Sequence, residues 1–471
     1  PGRIPSVSYK ANSTQILYGI AEKRSISMFD LLHKKIQLSS FQLIILGFAG
    51  VILLGACVLM LPISSQLRQF TPFSEALFTA TSAVCVTGLI VQGTGCYWSA
   101  FGQGVILSLI QIGGLGVVTI AVSFSLLSGR RISLMQRSTM QEAIAAPKVG
   151  GIVRLTGFIL RGTFLIELLG ALALLPVFCR DHGARGIWMA VFHSVSAFCN
   201  AGFDILGTDQ NPFPSLTEYA ANPAVNIIIM LLILIGGIGF LTWEDIVVNK
   251  WRLRRYRMQS KVILLMTVLL MAIPAVFFYT DLTELPTGQR ILAACFQAVT
   301  PRTAGFNTVD LLSLGGASNA VTMVLMLIGG APGSTAGGMK ITTVAVLFAN
   351  AFATFRKRED AQMFGRRIEP GAIRSAATIL MLYMSLFFGG AVIISLCEQL
   401  PLSLCLYETA SAVGTVGLTL GITPELGLVS KIVLILLMYM GRVGSLTLIY
   451  AAVSGKHLSP AKLPQEKIAV G

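Results

Sequence analysis

Eight long apolar runs, separated by gaps that alternate in character, constrain the fold of this chain more than any other feature. The runs cover residues 41–62, 101–127, 153–178, 224–248, 261–280, 319–351, 374–396 and 428–453. Each is long enough to cross the roughly 30 Å hydrocarbon core of a bilayer as a helix. The sequence therefore predicts an all-α membrane protein with eight spanning helices.

Charge supports a membrane protein rather than a nucleic-acid-binding one. Only 12% of the residues are charged, about half the share in soluble domains. The net charge of +14 comes from short basic clusters between the apolar runs, not from one polar face. Clusters after the second, fourth, sixth and eighth runs follow the positive-inside rule. We therefore expect both termini to be cytoplasmic in a multi-pass protein of the bacterial cell membrane, without a signal peptide in residues 1–40.

The alternation of gaps defines a unit that leaves the cytoplasm and returns, repeated four times at a period of about 110 residues. The predicted boundaries are an N-terminal region 1–40, repeats 41–127, 153–248, 261–353 and 373–453, cytoplasmic linkers 128–152, 249–260 and 354–372, and a tail 454–471. Two outer gaps begin with short apolar stretches, Phe73–Val84 and Ile187–Phe198. Stretches of this length favour re-entrant helices over spans, so the unit reads as span, short pore helix, loop, span.

The four outer gaps carry one related loop. The loops read SAVCVTGL, SAFCNAGF, TPRTAGFNT and SAVGTVGL, and they align on Gly88, Gly202, Gly305 and Gly417. In three of them an aromatic residue precedes the glycine by ten positions and a serine by six. The third is one residue shorter, with Thr300 near the serine position. One such glycine would suggest only close helix packing, but four in register with the topology indicate a common function.

A cation selectivity filter needs this arrangement. Carbonyl oxygens must replace the water shell of the ion, and glycine enters the backbone conformations that point successive carbonyls inward. The C-terminal end of each preceding helix adds a negative potential. The predicted K⁺ sites are the backbone carbonyls of Val86, Thr87, Gly88, Leu89, Asn200, Ala201, Gly202, Phe203, Thr303, Ala304, Gly305, Phe306, Thr415, Val416, Gly417 and Leu418.

These loops resemble the four filter segments of the Trk/Ktr/HKT superfamily of potassium transporters. The resemblance covers residues 41 to 453 and is strongest to the bacterial Ktr-type potassium-translocating membrane subunit. Glycine in all four loops resembles the potassium-selective branch, whereas plant members with serine in the first loop differ.

The resemblance implies four membrane–pore–membrane units around a pseudo-fourfold axis. It further implies potassium uptake by a homodimer, a cytoplasmic ring of nucleotide-binding regulatory subunits, and sodium as a coupling or activating ion. No covalent cofactor is expected.

The sixth run is interrupted by a glycine-rich stretch. It comprises Gly329, Gly330, Ala331, Pro332, Gly333, Ser334, Thr335, Ala336, Gly337, Gly338, Met339 and Lys340. Such a stretch cannot continue a helix, and the resemblance implies a mobile loop that gates the pore. A phosphate-binding loop is the weaker alternative, because Met339 stands where its lysine is required and no strand precedes it.

Arg442 lies in the middle of the eighth run. A charge at this depth is costly unless it faces a cavity or a partner. The resemblance implies a pore-facing arginine, and we hypothesise that it contacts the 329–340 loop. The alternative is an arginine satisfied by helix carbonyls elsewhere. Arg302 and Glu408 are expected to brace the filter from behind, and Glu167 either pairs with a neighbouring span or binds an ion.

Two other function classes compete with an ion channel-like transporter. A secondary transporter of a small organic solute also uses broken helices, although its repeats are normally two large halves. A membrane enzyme would need catalytic groups, and the sequence shows neither paired carboxylates nor a metal-spaced cluster of histidine and cysteine on any run.

Overall fold

The computed structural model describes residues 39–121, 134–144 and 150–444, together with Gly2. The helices are α1 (Ser40–Leu59), α2 (Phe73–Cys85), α3 (Ala100–Leu115), α4 (Leu134–Ile144), α5 (Ile152–His182), α6 (Arg185–Phe198), α7 (Pro223–Gly237), α8 (Phe240–Asn249), α9 (Met258–Asp281), α10 (Thr287–Val299), α11 (Gly316–Leu327), α12 (Ile341–Phe355), α13 (Pro370–Glu398), α14 (Leu402–Gly414) and α15 (Leu428–Val443). Strands β1 (Gln362–Met363) and β2 (Arg366–Arg367) form one antiparallel hairpin. Short 3-10 turns lie at Pro62–Ser64, Thr217–Tyr219, Leu253–Arg255 and Thr423–Glu425. The predicted helical fold is confirmed for these residues.

Four helices in the described part of the chain are long and apolar enough to cross a membrane. They are α1, α5, α9 and α13, and they match the first, third, fifth and seventh predicted runs. Large apolar side chains such as Leu54, Leu168 and Leu396 are exposed along them. Surfaces of this kind are compatible with lipid rather than water.

The second, fourth and eighth predicted runs are not single unbroken helices in the described part of the chain. In the second run, α3 ends at Leu115. In the fourth run, the chain bends by 96° between α7 and α8, and in the eighth run, α15 ends at Val443. At each break a glycine, Gly116, Gly239 or Gly444, has φ between 88° and 91°. Side chains with a Cβ rarely adopt this conformation, so the glycine ends the helix. The predicted residues 122–127 and 445–453 lie outside the described part of the chain.

The short helices predicted before the first two loops are present as α2 and α6, with α10 and α14 at the corresponding places before the other loops. Each helix that follows a loop packs on the short helix of the next unit: α3 on α6, α7 on α10 and α11 on α14. The last, α15, packs on α2, and the Tyr439 hydroxyl donates to the Ile45 carbonyl of α1 at 2.7 Å. The order along the chain therefore closes into a ring.

Candidate functional site

The four glycine loops have one backbone conformation in common. The residue two positions before each glycine is left-handed: Val86, Asn200, Thr303 and Thr415 have φ between 51° and 73°. The glycines follow with φ of 93°, 66°, 84° and 97° for Gly88, Gly202, Gly305 and Gly417. A left-handed residue other than glycine is uncommon, so its recurrence at four equivalent positions indicates a backbone that the surrounding structure holds in place.

The structure brings the four loops together in a ring, in chain order. A Cβ added to Gly88 would lie 2.5 Å from the Ala201 carbonyl oxygen, and one added to Gly202 would lie 2.6 Å from that of Ala304. A Cβ on Gly305 would collide with the Val416 carbonyl oxygen, and one on Gly417 with that of Thr87. Each glycine thus touches the residue before the next glycine, and the fourth returns to the first. Any passage along the axis of this ring is bounded by backbone atoms.

Hydroxyl groups hold the loops against their short helices. Ser82 and Ser411 accept from the backbone N–H of Gly88 and Gly417 at 3.1 and 3.0 Å. Ser196 donates instead to the Phe203 carbonyl at 2.7 Å, and Thr300 donates to the Phe306 carbonyl. The serine six residues before the glycine therefore has a structural role in the loop, which its spacing alone did not reveal.

Removing one of these hydroxyls tests that role. In Ser82→Ala the buried N–H of Gly88 loses its acceptor, and a donor left unpaired in the interior costs about 1–3 kcal/mol. We expect a free energy of unfolding lower by this amount. Thermal unfolding of the purified protein measures the effect. Ser108→Ala is the control, because Ser108 is exposed and bonds only its own helix at Gly104; equal effects of both variants would contradict the bracing role.

A second repeated motif lies at the ends of α3, α7 and α15, the inner helices that follow the first, second and fourth loops, and the sequence analysis did not identify it. It reads IGGLG at 112–116, IGGIG at 235–239 and MGRVG at 440–444, and IGGAP at 328–332 leads into the 329–340 stretch. A Cβ on Gly113, Gly236 or Gly441 would collide with the last carbonyls of the preceding short helix, at Val84, Phe198 and Val413. The repeated glycines were the sequence signal for this motif. They allow each inner helix to approach the ring closely.

The 329–340 stretch crosses from one side of this ring to the other. At one end the Ala331 N–H donates to the Gly237 carbonyl at 2.9 Å, and the Thr335 hydroxyl donates to the Phe198 carbonyl at 2.9 Å. At the other end, a Cβ on Gly337 would collide with Thr415 of the fourth loop. The stretch is therefore packed between the second and fourth loops.

Local hydrogen bonds fix the shape of this stretch. The Gly329 N–H donates to the Met339 carbonyl at 2.8 Å, and the Ile341 N–H donates to the Gly330 carbonyl at 3.0 Å. Lys340 Nζ donates to the Ala336 carbonyl at 2.8 Å. A Cβ on Gly333 would collide with the Ile144 carbonyl at the end of α4. The stretch is a closed loop whose two ends pair with each other.

Arg442 joins the inner helices to this loop. Its guanidinium donates to the Thr335 carbonyl and to the Gly113 and Gly114 carbonyls at the end of α3. In the second repeated motif it stands where the other copies have glycine, at Gly114, Gly237 and Gly330. Arg442, Lys340 and parts of the loop line a cavity of about 370 Å³.

Three other charged residues from the sequence analysis lie near the ring but not in it. Glu408 accepts from Thr419, from the Leu420 N–H and from Thr423, so it holds the segment after the fourth loop. Arg302 is buried, and within the described residues the one hydrogen bond of its side chain goes from Nη2 to the Thr267 hydroxyl at 3.5 Å. Glu167 is 5% exposed and accepts from Gln111 at 3.2 Å. No lysine or arginine of the described residues forms a salt bridge with Glu167.

Comparisons with known proteins agree on one family. The model of the TrkH family, described as a cation transport protein, matches residues 39–460. The chain is 39% identical to the potassium/sodium uptake protein NtpJ of Enterococcus hirae, covering 92% of this chain and 98% of that protein. It is 37% identical to the Ktr system potassium uptake protein B of Bacillus subtilis, covering 90% and 95%. The crystal structure of the potassium transporter TrkH from Vibrio parahaemolyticus matches with a TM-score of 0.71 at 18% identity, over 90% of this chain and 86% of that one.

Proposed function

Because the chain belongs to the TrkH family of cation transport proteins, we propose that it takes up potassium through a channel-like pore at the ring of four glycine loops. Potassium is the substrate, and the ions move through the protein as cargo. Membership of the family supports transport of a cation across the cell membrane. Potassium as the cation and the ring as its path are what we propose in addition.

The closed ring of loops is the observation that carries this proposal. Four backbones in contact, each with a left-handed residue followed by a glycine, can offer carbonyl oxygens from four sides. Such oxygens replace the hydration shell of a cation, and the atoms nearest to each glycine in the next loop belong to the backbone. We assign the filter to residues 86–89, 200–203, 303–306 and 415–418. The C-terminal ends of α2, α6, α10 and α14 precede these segments by at most three intervening residues and favour a cation over an anion.

The gate in this proposal is the 329–340 loop with Arg442. The loop packs between the second and fourth filter segments, and its contacts are mostly single hydrogen bonds to helix ends. Arg442 holds Thr335 against α3 and adds a positive charge beside the path of the cation. Opening requires that these bonds break and that the loop withdraws from the axis.

Regulation and assembly are proposed from the relatives. One relative is named as a protein of a Ktr system and another as a potassium/sodium uptake protein. These names support a partner subunit and a role for sodium. We extend them to a homodimer with a cytoplasmic ring of nucleotide-binding subunits, with both termini of the eight-span chain in the cytoplasm.

Growth and tracer uptake test the proposed function. In cells that lack potassium uptake, expression of this chain is expected to restore growth at low potassium and to give rubidium uptake that excess potassium inhibits. The physical reason is that rubidium and potassium are dehydrated by the same carbonyl oxygens. No growth rescue, combined with flux that depends on an organic solute, would instead support a secondary transporter.

A further inference from the structure

An apolar groove lies on the outer surface between α9 and α12, away from the ring. Its volume is about 850 Å³. Leu265, Leu269 and Ile273 of α9 form one wall, and Phe348 and Phe352 of α12 form the other. All five side chains are exposed to 40% or more. From residue 345 to 353 the groove follows α12 for about 12 Å, at 1.5 Å of rise per residue.

The groove ends at a pair of arginines. Arg356 and Arg358 line its mouth directly after the last turn of α12, and both are exposed. The Arg356 guanidinium lies 4.7 Å from the centre of the Phe352 ring, which holds the charge at the end of the apolar wall. Asp360 also lines the mouth, but it is bonded to Arg367 at 2.8 Å. In the described part of the chain neither Arg356 nor Arg358 forms a salt bridge.

We infer that this groove binds an anionic phospholipid, with an acyl chain along α9 and α12 and the phosphodiester at Arg356 and Arg358. The occupant must be apolar along about two helical turns and negatively charged at one end, and a lipid at the membrane boundary has both properties. Guanidinium groups bind phosphate through paired, charge-assisted hydrogen bonds. Basic pockets between membrane helices are sites for acidic head groups. The inference does not depend on the transport proposal.

A second copy of the chain fits the groove less well. A twofold contact places the same patch of both copies against itself. Here that patch is concave and carries two unpaired positive charges, so it offers neither a ridge to fill the groove nor an anion to neutralise the arginines. Charge and shape therefore favour the lipid.

In the sequence, one wall of the groove directly follows the 329–340 loop. Helix α12 begins at Ile341, directly after Lys340. A lipid bound between α9 and α12 restrains the helix that leaves the loop. Lipid in the groove would therefore restrict the mobility of the 329–340 stretch. The experiment measures lipid binding itself.

Lipid titration of the delipidated full-length protein tests the inference. Native mass spectrometry would compare phosphatidylglycerol with phosphatidylcholine of the same acyl chains. Each basic side chain near a lipid surface contributes about 1 kcal/mol, so two correspond to binding of phosphatidylglycerol tighter by roughly 30-fold. Arg356→Gln with Arg358→Gln should remove this preference and leave weak binding of both lipids.

Three variants keep the result interpretable. Arg356→Lys with Arg358→Lys should retain most of the preference, which separates charge from misfolding. Arg252→Gln with Arg254→Gln removes the same charge from an exposed turn elsewhere and should change nothing. Ala349→Trp fills the groove and should weaken both lipids. The inference would be overturned if the parent protein bound the two lipids equally, or if the Arg252→Gln, Arg254→Gln control lost as much of the preference as the groove variant. It would also be overturned if Ala349→Trp converted a dimer to a monomer without weakening lipid binding.

Discussion

Replacing Gly305 with alanine is expected to reduce potassium and rubidium uptake by about 30-fold or more. At φ of 84° the new Cβ is strained, and it would also collide with the Val416 carbonyl oxygen of the next loop. Overpacking of a rigid interior costs about 1–3 kcal/mol, left-handed backbone adds about 1–2 kcal/mol, and each 1.4 kcal/mol is a factor of ten. Relief of the collision moves the fourth loop away from the third, so the ring no longer surrounds a bare ion.

Two glycines elsewhere serve as matched controls for this prediction. Gly288 lies in α10 with open space around it, so Gly288→Ala should leave uptake unchanged. Gly421 has φ of 90° but no neighbour within 4 Å, so Gly421→Ala isolates the backbone strain from the collision. Uptake would be measured with rubidium in vesicles, at equal amounts of folded protein. If Gly305→Ala left uptake unchanged, the ring would not be part of the transport path.

Neutralising Arg442 is expected to raise cation flux about tenfold or more in the absence of any cytoplasmic partner. Arg442→Gln loses donors to Thr335, Gly113 and Gly114 and removes a positive charge from the cavity beside the loop. Hydrogen bonds to a charged group contribute about 1.5–3 kcal/mol, and 1.4 kcal/mol shifts an equilibrium tenfold. Losing one such bond therefore favours the open loop by about that factor.

Arg442→Lys and Arg161→Gln make this result specific. Lysine keeps the charge but cannot bridge three carbonyls as the planar guanidinium does, so an intermediate flux separates the tether from the electrostatic barrier. Arg161 is an exposed arginine of α5, and its replacement should have no effect. Rubidium influx into liposomes that contain only this chain measures all three. Unchanged flux with unchanged regulation in Arg442→Gln would contradict the gating role.

The sequence predicted the ring because its signal is repeated and local. Gly88, Gly202, Gly305 and Gly417 align through short spacings that survive in four copies. Apolar length likewise predicted α1, α5, α9 and α13, since burial in lipid depends on composition more than on partners. The short helices were predicted within two residues of their observed ends for the same reason.

What the sequence did not reveal depends on contacts between distant segments. Gly116, Gly239 and Gly444 lie within runs whose apolar character continues past them, so length favoured unbroken helices where the backbone bends. The bond from Arg442 to Gly113 joins residues 329 positions apart, and no local pattern specifies such a pair. The Ser82 and Ser196 hydroxyls have the same spacing, but Ser82 accepts from the N–H of the loop glycine whereas Ser196 donates to the carbonyl of Phe203, a difference that only the structure shows.

The single arginine in the second repeated motif has a consequence for how such a pore can be controlled. A homotetramer of identical subunits would have to place four guanidinium groups, or none, around its centre. Four such charges would repel one another and exclude monovalent cations altogether. The pore that we propose, encoded as four quarters on one polypeptide, escapes that restriction, because Arg442 stands in one quarter and Gly114, Gly237 and Gly330 stand at the same place in the others. In that proposal, asymmetry within one chain permits a single electrostatic barrier that a symmetric assembly cannot build.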